Sequence, residues 1–167
     1  INGYDDTSSN QPFHINNTYL ICNGEIYNHK TLYEILKVKP KSKSDCEVII
    51  HMYNKYGIEQ TLQLLDGVFA FILIDTAKQR IFVARDTYGV RPLFTNTMSF
   101  YDEEGTQRHT YAFASEMKSL CFNNELDQKI KQFEPGSLSI FEYNNPQQSS
   151  IKYVNTIAFS TPNSFCN

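Results

Sequence analysis

The chain has 167 residues, which suits a single domain, and a composition that is 41% hydrophobic with 12 Phe and 11 Tyr supplies a real core and excludes disorder. A net charge of −3 gives no sign of the basic face that nucleic-acid binding requires, so no nucleic-acid partner is expected. Cys22, Cys46, Cys121 and Cys166 form no CxxC pair and no metal spacing, residues 1–12 are too polar for a signal peptide, and the longest apolar run, Val68 to Ile74, is too short to span a bilayer, so the expectation is a reduced, cytoplasmic protein with no membrane partner.

Taken in order, Asp5 to Asn10 is a polar loop closed by Gln11-Pro12-Phe13. Phe13 to Ile15 and Thr18 to Cys22 are predicted strands around Asn16-Asn17, a turn pair because Asn tolerates positive φ. The apolar run Tyr19 to Cys22 meets Asn23-Gly24-Glu25, where the strand is expected to stop and bend. A strand ending there presents an amide side chain and free backbone N–H groups together, a combination that can receive a developing oxyanion; the plainer alternative is an ordinary turn. Asn28 to Leu36 is a predicted helix with Leu32, Ile35 and Leu36 on one face, and Val38 to Lys43 a solvated basic loop. Ser44-Asp45-Cys46-Glu47 has the S-x-x-E form of a capping box. It starts a predicted helix to Tyr56, with Ile49, Met52, Tyr53 and Tyr56 inward and Gly57 as a left-handed cap. Ile58 to Leu65 is a further helix, and Asp66-Gly67 a turn.

Val68 to Asp75 is apolar on both faces: Val68, Ala70, Ile72 and Ile74 point one way, Phe69, Phe71 and Leu73 the other. Such a strand belongs in the middle of a layered fold. Arg80 to Arg85 is the return strand, and Asp86 to Pro92 a loop braced by ion pairs of Arg85, Asp86 and Arg91. Leu93 to Met98 and Thr110 to Ala114 form a hairpin. Ser115-Glu116 starts a short helix through Leu120, with Glu116 as a cap. Gln128 to Glu134 reads as a polar connection, Ser137 to Tyr143 and Ile151 to Ile157 as strands, and Phe159 to Asn167 as a frayed tail. His14, His29, His51 and His109 share no spacing, so no metal site is expected. Short turns between strands and clustered helices give an α+β class: two stacked antiparallel sheets with helices outside.

Six motifs stand in order along the chain: Asn23-Gly24-Glu25-Ile26-Tyr27-Asn28-His29, Ser44-Asp45-Cys46-Glu47-Val48-Ile49, Leu65-Asp66-Gly67-Val68-Phe69-Ala70-Phe71, Arg85-Asp86-Thr87-Tyr88-Gly89-Val90-Arg91-Pro92-Leu93, Ala114-Ser115-Glu116-Met117-Lys118-Ser119-Leu120 and Phe133-Glu134-Pro135-Gly136-Ser137. Together, from Ile1 to Val154, they resemble the glutaminase domain of the glutamine-dependent asparagine synthetases, class II glutamine amidotransferases. The resemblance implies an N-terminal-nucleophile hydrolase fold, an αββα sandwich of mostly antiparallel sheets incomplete at its N-terminus. It divides the chain into a glutaminase-like domain, residues 1–157, and a tail or linker, residues 158–167. It implies L-glutamine as the ligand and ammonia as the product passed to ATP-dependent asparagine synthesis. Asn23 and Gly24 would form the oxyanion hole, Glu25 and Asp45 would hold the amino-acid end of glutamine, and Ile1 and Asn2 would add backbone contacts. The family's nucleophile is an N-terminal cysteine, and this chain begins with Ile1, so the 167-residue chain alone is expected to be inactive. No cofactor is implied for this chain. ATP and Mg²⁺ belong to a synthetase domain in cis or trans, and a homodimer of the full-length protein is left open. The alternative reading is a non-catalytic amino-acid-binding or assembly module derived from such a domain.

Overall fold

The computed structural model describes residues 9–121, 129–144 and 150–159. Asn16, at φ 55°, folds Phe13–Ile15 (β1) back onto Thr18–Ile26 (β2), the hairpin that the Asn-Asn pair predicts. Three helices follow, His29–Leu36 (α1), Val48–Tyr56 (α2) and Ile58–Leu64 (α3). The remaining strands are Gly67–Asp75 (β3), Arg80–Arg85 (β4), Phe94–Tyr101 (β5), Gln107–Ala114 (β6), Lys129–Gln132 (β7), Ser137–Asn144 (β8) and Ser150–Ala158 (β9). They form one sheet in the order β1-β2-β3-β4-β8-β9 and a second in the order β6-β5-β7. Every strand pairing described is antiparallel.

The double-sided strand expected from residues 68–75 is β3, third of six in the larger sheet. Phe69, Phe71 and Leu73 join Leu20, Ile26, Ile49, Met52 and Phe82 in the core beneath the helices. On the other face, Ala70 and Val83 pack with Leu93, Phe133 and Phe141 in a smaller core between the two sheets. Asn96 of β5 faces away from that inner space and donates from Nδ2 to the Leu120 carbonyl at 2.9 Å, which fixes the 3₁₀ turn Met117–Leu120 on the outer side of the second sheet.

Several expectations need correction. The strand does not stop at Cys22; β2 continues in register with β3 through Asn23↔Ala70, Gly24↔Phe69 and Ile26↔Gly67. In α1 the buried residues are Leu32, Tyr33 and Leu36, while Ile35 is exposed, because the face turned to the core is centred toward Tyr33, on the other side of the Leu32–Leu36 line from Ile35. In α2 Val48 and Ile50 are buried as well as Ile49, Met52 and Tyr53, because this helix lies wedged between the sheet and its neighbours. Gly57 has positive φ but an extended ψ of 174°, so it breaks the chain between α2 and α3 without a left-handed helical turn. Residues 129–132, read as a connection, are strand β7, paired with β5 from Phe94↔Gln132 to Thr97↔Lys129. Its single apolar residue, Ile130, gives an edge strand too little alternation to be legible. The tail beyond Phe159 lies outside the described residues.

Candidate active site

The site grows from the outer edge of β2. In an antiparallel ladder, alternate residues turn their N–H and C=O groups to opposite neighbours. β1 covers β2 only from Thr18 to Leu20, and beyond that the edge has no strand beside it among the described residues. Side chains take over. The Gln11 amide accepts from Cys22 N–H at 2.6 Å and donates to Cys22 C=O at 2.8 Å. The Cys46 thiol donates to the Gly24 carbonyl at 3.6 Å. The Asp45 carboxylate accepts from Ile26 N–H at 2.5 Å. Cys22 and Ile26 thus face away from β3, and Gly24, two residues from each, does the same. Its N–H takes no acceptor among the described residues and points from the open edge.

Gly24 is glycine for want of space, not for a bend. A Cβ there would lie 2.5 Å from the Val68 carbonyl oxygen and 2.8 Å from the Phe69 Cα, so β3 could not keep its place. The free donor expected from Asn23-Gly24 is therefore present, but an interrupted ladder provides it, where a terminating strand was anticipated.

Asn23 and Glu25 lie on the strand face opposite the helix-side residues Cys22 and Ile26, and both are exposed. Asn23 Nδ2 reaches Ser115 Oγ, just past β6, over 3.4 Å. The two residues border a cleft of about 240 Å³, walled by Gln11, Ile21, Leu93 and Phe113. Ser115 and Gln11 were not singled out by sequence reasoning. The only signal for Gln11 is its place before Pro12 at the mouth of the first hairpin.

Asp45 opens a 3₁₀ turn, Asp45–Glu47, that runs into α2. Ser44 Oγ accepts from Cys46 N–H at 3.3 Å, the N-cap bond that the sequence predicts. The reciprocal half of the capping box is not formed. Glu47, buried, turns instead to the basic loop, accepting from Lys41 N–H at 2.8 Å and Ser42 N–H at 2.6 Å, and pairs with His51 Nε2 at 3.0 Å. Burial alone would raise the Glu47 carboxyl, but those hydrogen bonds outweigh it and hold the group below its ordinary value. The helix start is thereby pinned, and Asp45 meets the end of β2. Asn23, Gly24, Glu25 and Asp45 are thus brought to one stretch of strand edge. Ile1 and Asn2 lie outside the described residues.

The loop after β4 supports this stretch from behind. Its expected ion pairs are not what holds it; backbone groups do. The Asp86 carboxylate accepts from Tyr88, Val90 and Arg91 N–H at 3.1, 3.0 and 3.1 Å, and from Phe69 N–H at 3.3 Å. Buried Arg85 donates to the carbonyls of Gly89, Arg91 and Phe133 at 2.7, 2.8 and 2.6 Å. Phe69 is the register partner of Gly24, so the loop anchors the strand against which Gly24 packs. Glu116, expected as a cap, makes no cap bond and pairs with Lys118 at 2.8 Å in solvent. Cys22 and Cys46 are buried on the helix side; the neighbouring Cys46 thiol, with burial, pushes the Cys22 thiol well up, which leaves it a poor nucleophile.

Residues 4–162 match the family model described as a glutamine amidotransferase domain. The chain belongs to this family. It is 41% identical over 140 residues to an asparagine synthetase [glutamine-hydrolyzing] of Mesocricetus auratus, covering 81% of this chain and 24% of that protein. The human protein of the same description is 40% identical over the same shares, and that of Gallus gallus 44% identical over 127 residues, 74% of this chain and 21% of the relative. The chain thus spans about a quarter of the length of these curated relatives. Among solved structures, a glutamine phosphoribosylpyrophosphate amidotransferase from B. subtilis, complexed with ADP and GMP, superposes with a TM-score of 0.64 at 24% identity, over 90% of this chain and 32% of that one. An allosteric regulatory enzyme of purine biosynthesis superposes with a TM-score of 0.63 at 23% identity, over 92% and 32%. At these identities the likeness speaks for the fold, which is that of the N-terminal-nucleophile amidotransferases.

Proposed function

We propose that this amidotransferase domain binds L-glutamine at the open edge of β2 and serves the hydrolysis of its side-chain amide, supplying ammonia to a synthetase domain that makes asparagine. The observation that carries the proposal is the Gly24 N–H, left without an acceptor among the described residues, beside the Asn23 carboxamide. Two donors of this kind suit the tetrahedral oxyanion of amide hydrolysis, and they cost no reorganisation when the charge develops. Asp45, held at Ile26 N–H, is the carboxylate for the glutamine α-ammonium, with Glu25 beside it. ATP and Mg²⁺ would act in the synthetase domain and have no role at this edge. The near-40% identity to glutamine-hydrolysing asparagine synthetases favours asparagine as the end product.

The test is steady-state kinetics on the natural polypeptide with glutamine or free ammonia as nitrogen source. Asn23→Ala is expected to lower the glutamine-dependent turnover by about 10²–10³ with a smaller change in KM, because the oxyanion exists only along the reaction path. Asp45→Asn keeps an acceptor for Ile26 N–H and removes the charge. It is expected to weaken glutamine binding by ~2–5 kcal/mol and to leave ammonia-dependent synthesis intact. Equal damage with both nitrogen sources would reduce Asp45 to a cap on the strand end.

A further inference from the structure

The register that sets Phe13 opposite Leu20 would, if β1 continued, set Gln11 opposite Cys22. Gln11 occupies that place with its side chain instead of its backbone. Its amide uses one N–H of its NH₂ group and its carbonyl oxygen to make both bonds of a strand pair, to Cys22 C=O at 2.8 Å and from Cys22 N–H at 2.6 Å. The residue is exposed, yet its head group is fixed at two points, which is unusual for a side chain that gains little from burial. Cys22 precedes Asn23 and lies two residues from Gly24, on the same edge. Gln11 also walls the cleft that Asn23 and Ser115 border.

We propose that Gln11 is a positioning residue for the oxyanion donors: it holds the β2 edge at Cys22 and so sets the direction of the Gly24 N–H and the origin of the Asn23 side chain. A full neighbouring strand would occupy the Gly24 donor as well. A side-chain amide can fix Cys22 and stop there. The bond pattern at Cys22 makes Gln11 a one-residue substitute for a strand, placed where the next donor must stay open. This rests on the oxyanion reading of Asn23 and Gly24.

The experiment is glutamine-dependent kinetics of the natural polypeptide with Gln11→Met and Gln11→Glu, run beside Asn23→Ala. Met matches the length of Gln and makes neither bond. Gln11→Met is expected to lower kcat roughly ten- to hundredfold, as small misplacements of reacting groups do, with the glutamine KM within about twofold. A carboxylate at position 11 accepts from Cys22 N–H but repels Cys22 C=O; once protonated it donates and accepts as the amide does. The kcat of Gln11→Glu, relative to the unaltered protein at each pH, is therefore expected to rise as pH falls toward the carboxyl range. A flat ratio, or parallel losses in kcat, KM and thermal stability, would make Gln11 merely structural and overturn the proposal. If Asn23→Ala leaves kcat unchanged, the oxyanion reading itself fails. If Asn23→Ala lowers kcat and Gln11→Met does not, only the role of Gln11 fails.

Discussion

β2 and β3 are neighbours of 9 residues each, paired along their whole length, and they are built for opposite purposes. β3 has a strand on either side and a hydrophobic layer on either face. β2 has β3 on one side, but β1 on the other only as far as Leu20, and its outward face shows Tyr19, Ile21, Asn23 and Glu25 to solvent. A strand enclosed by two neighbours has every N–H committed, because a buried unpaired donor is costly. A backbone donor for a ligand can exist only where a ladder is interrupted. β3 supplies the rigid surface, and the interrupted half of β2, held at Cys22, Gly24 and Ile26 by side chains, supplies the open group.

The first way to break this comparison is by truncation. Phe71, on the helix side of β3, is 1% exposed, and Ile21, on the outward face of β2, is 47% exposed. Phe71→Ala is expected to destabilise by about 3–5 kcal/mol, and Ile21→Ala by about 0.5 kcal/mol, in urea unfolding followed by circular dichroism. Similar costs for the two would mean that the outward face of β2 is covered in solution.

Next in size are the glycines. Gly24→Ala meets backbone atoms of Val68 and Phe69 that cannot move without separating the strands, and about 1–3 kcal/mol is expected. Gly57→Ala meets nothing within 4 Å, but must hold a φ of 80°. Its cost is strain alone, about 1–3 kcal/mol, because φ 80° with ψ 174° is a backbone region that essentially only glycine occupies. Chemical shifts would separate the two. Gly24→Ala should perturb amide resonances across β2 and β3, Gly57→Ala only those near the junction of α2 and α3.

The sequence reveals β3 more fully than β2, and the reason is physical. Seven apolar residues in a row can only be satisfied by burial on both faces, so the place of β3 follows from Val68 to Ile74 alone. The first hairpin and the helix behind Ser44 follow from equally local chemistry, positive φ at Asn16 and a hydroxyl cap. Gly24 misleads because a glycine demanded by a neighbouring backbone looks the same in one dimension as one demanded by a turn. Glu47 misleads likewise: its spacing from Ser44 suits a capping box, but its partners at Lys41 and Ser42 belong to a loop whose path is set by tertiary packing. The residues of the candidate site were legible as a motif. The feature on which their proposed role rests, an edge closed by Gln11 and left open at Gly24, depends on where β1 stops.

Acid should produce the smallest effect and act on the enclosed partner. Asp75 closes the far end of β3 and accepts from Tyr53 Oη at 2.6 Å, from Ala77 N–H at 3.0 Å and from Lys78 N–H at 2.9 Å, with Lys78 Nζ at 3.5 Å. Burial alone would raise its carboxyl, but the Tyr53 hydroxyl and the Lys78 N–H and ammonium hold it below the ordinary value, as Lys41, Ser42 and His51 do for Glu47. A carboxyl whose folded value lies below its unfolded one binds its proton less readily when folded. Its contribution is present above the unfolded value, near about 4, and is lost as pH falls through the folded one. Stability is therefore expected to fall below about pH 4, with Asp75→Asn and Glu47→Gln each making the decline shallower while lowering stability at neutral pH. Urea midpoints measured from pH 3 to pH 7 would show it. If Asp75→Asn left the acid limb as steep as before, the far end of β3 would not be held by that carboxylate, and the enclosed strand would owe its rigidity to apolar packing alone.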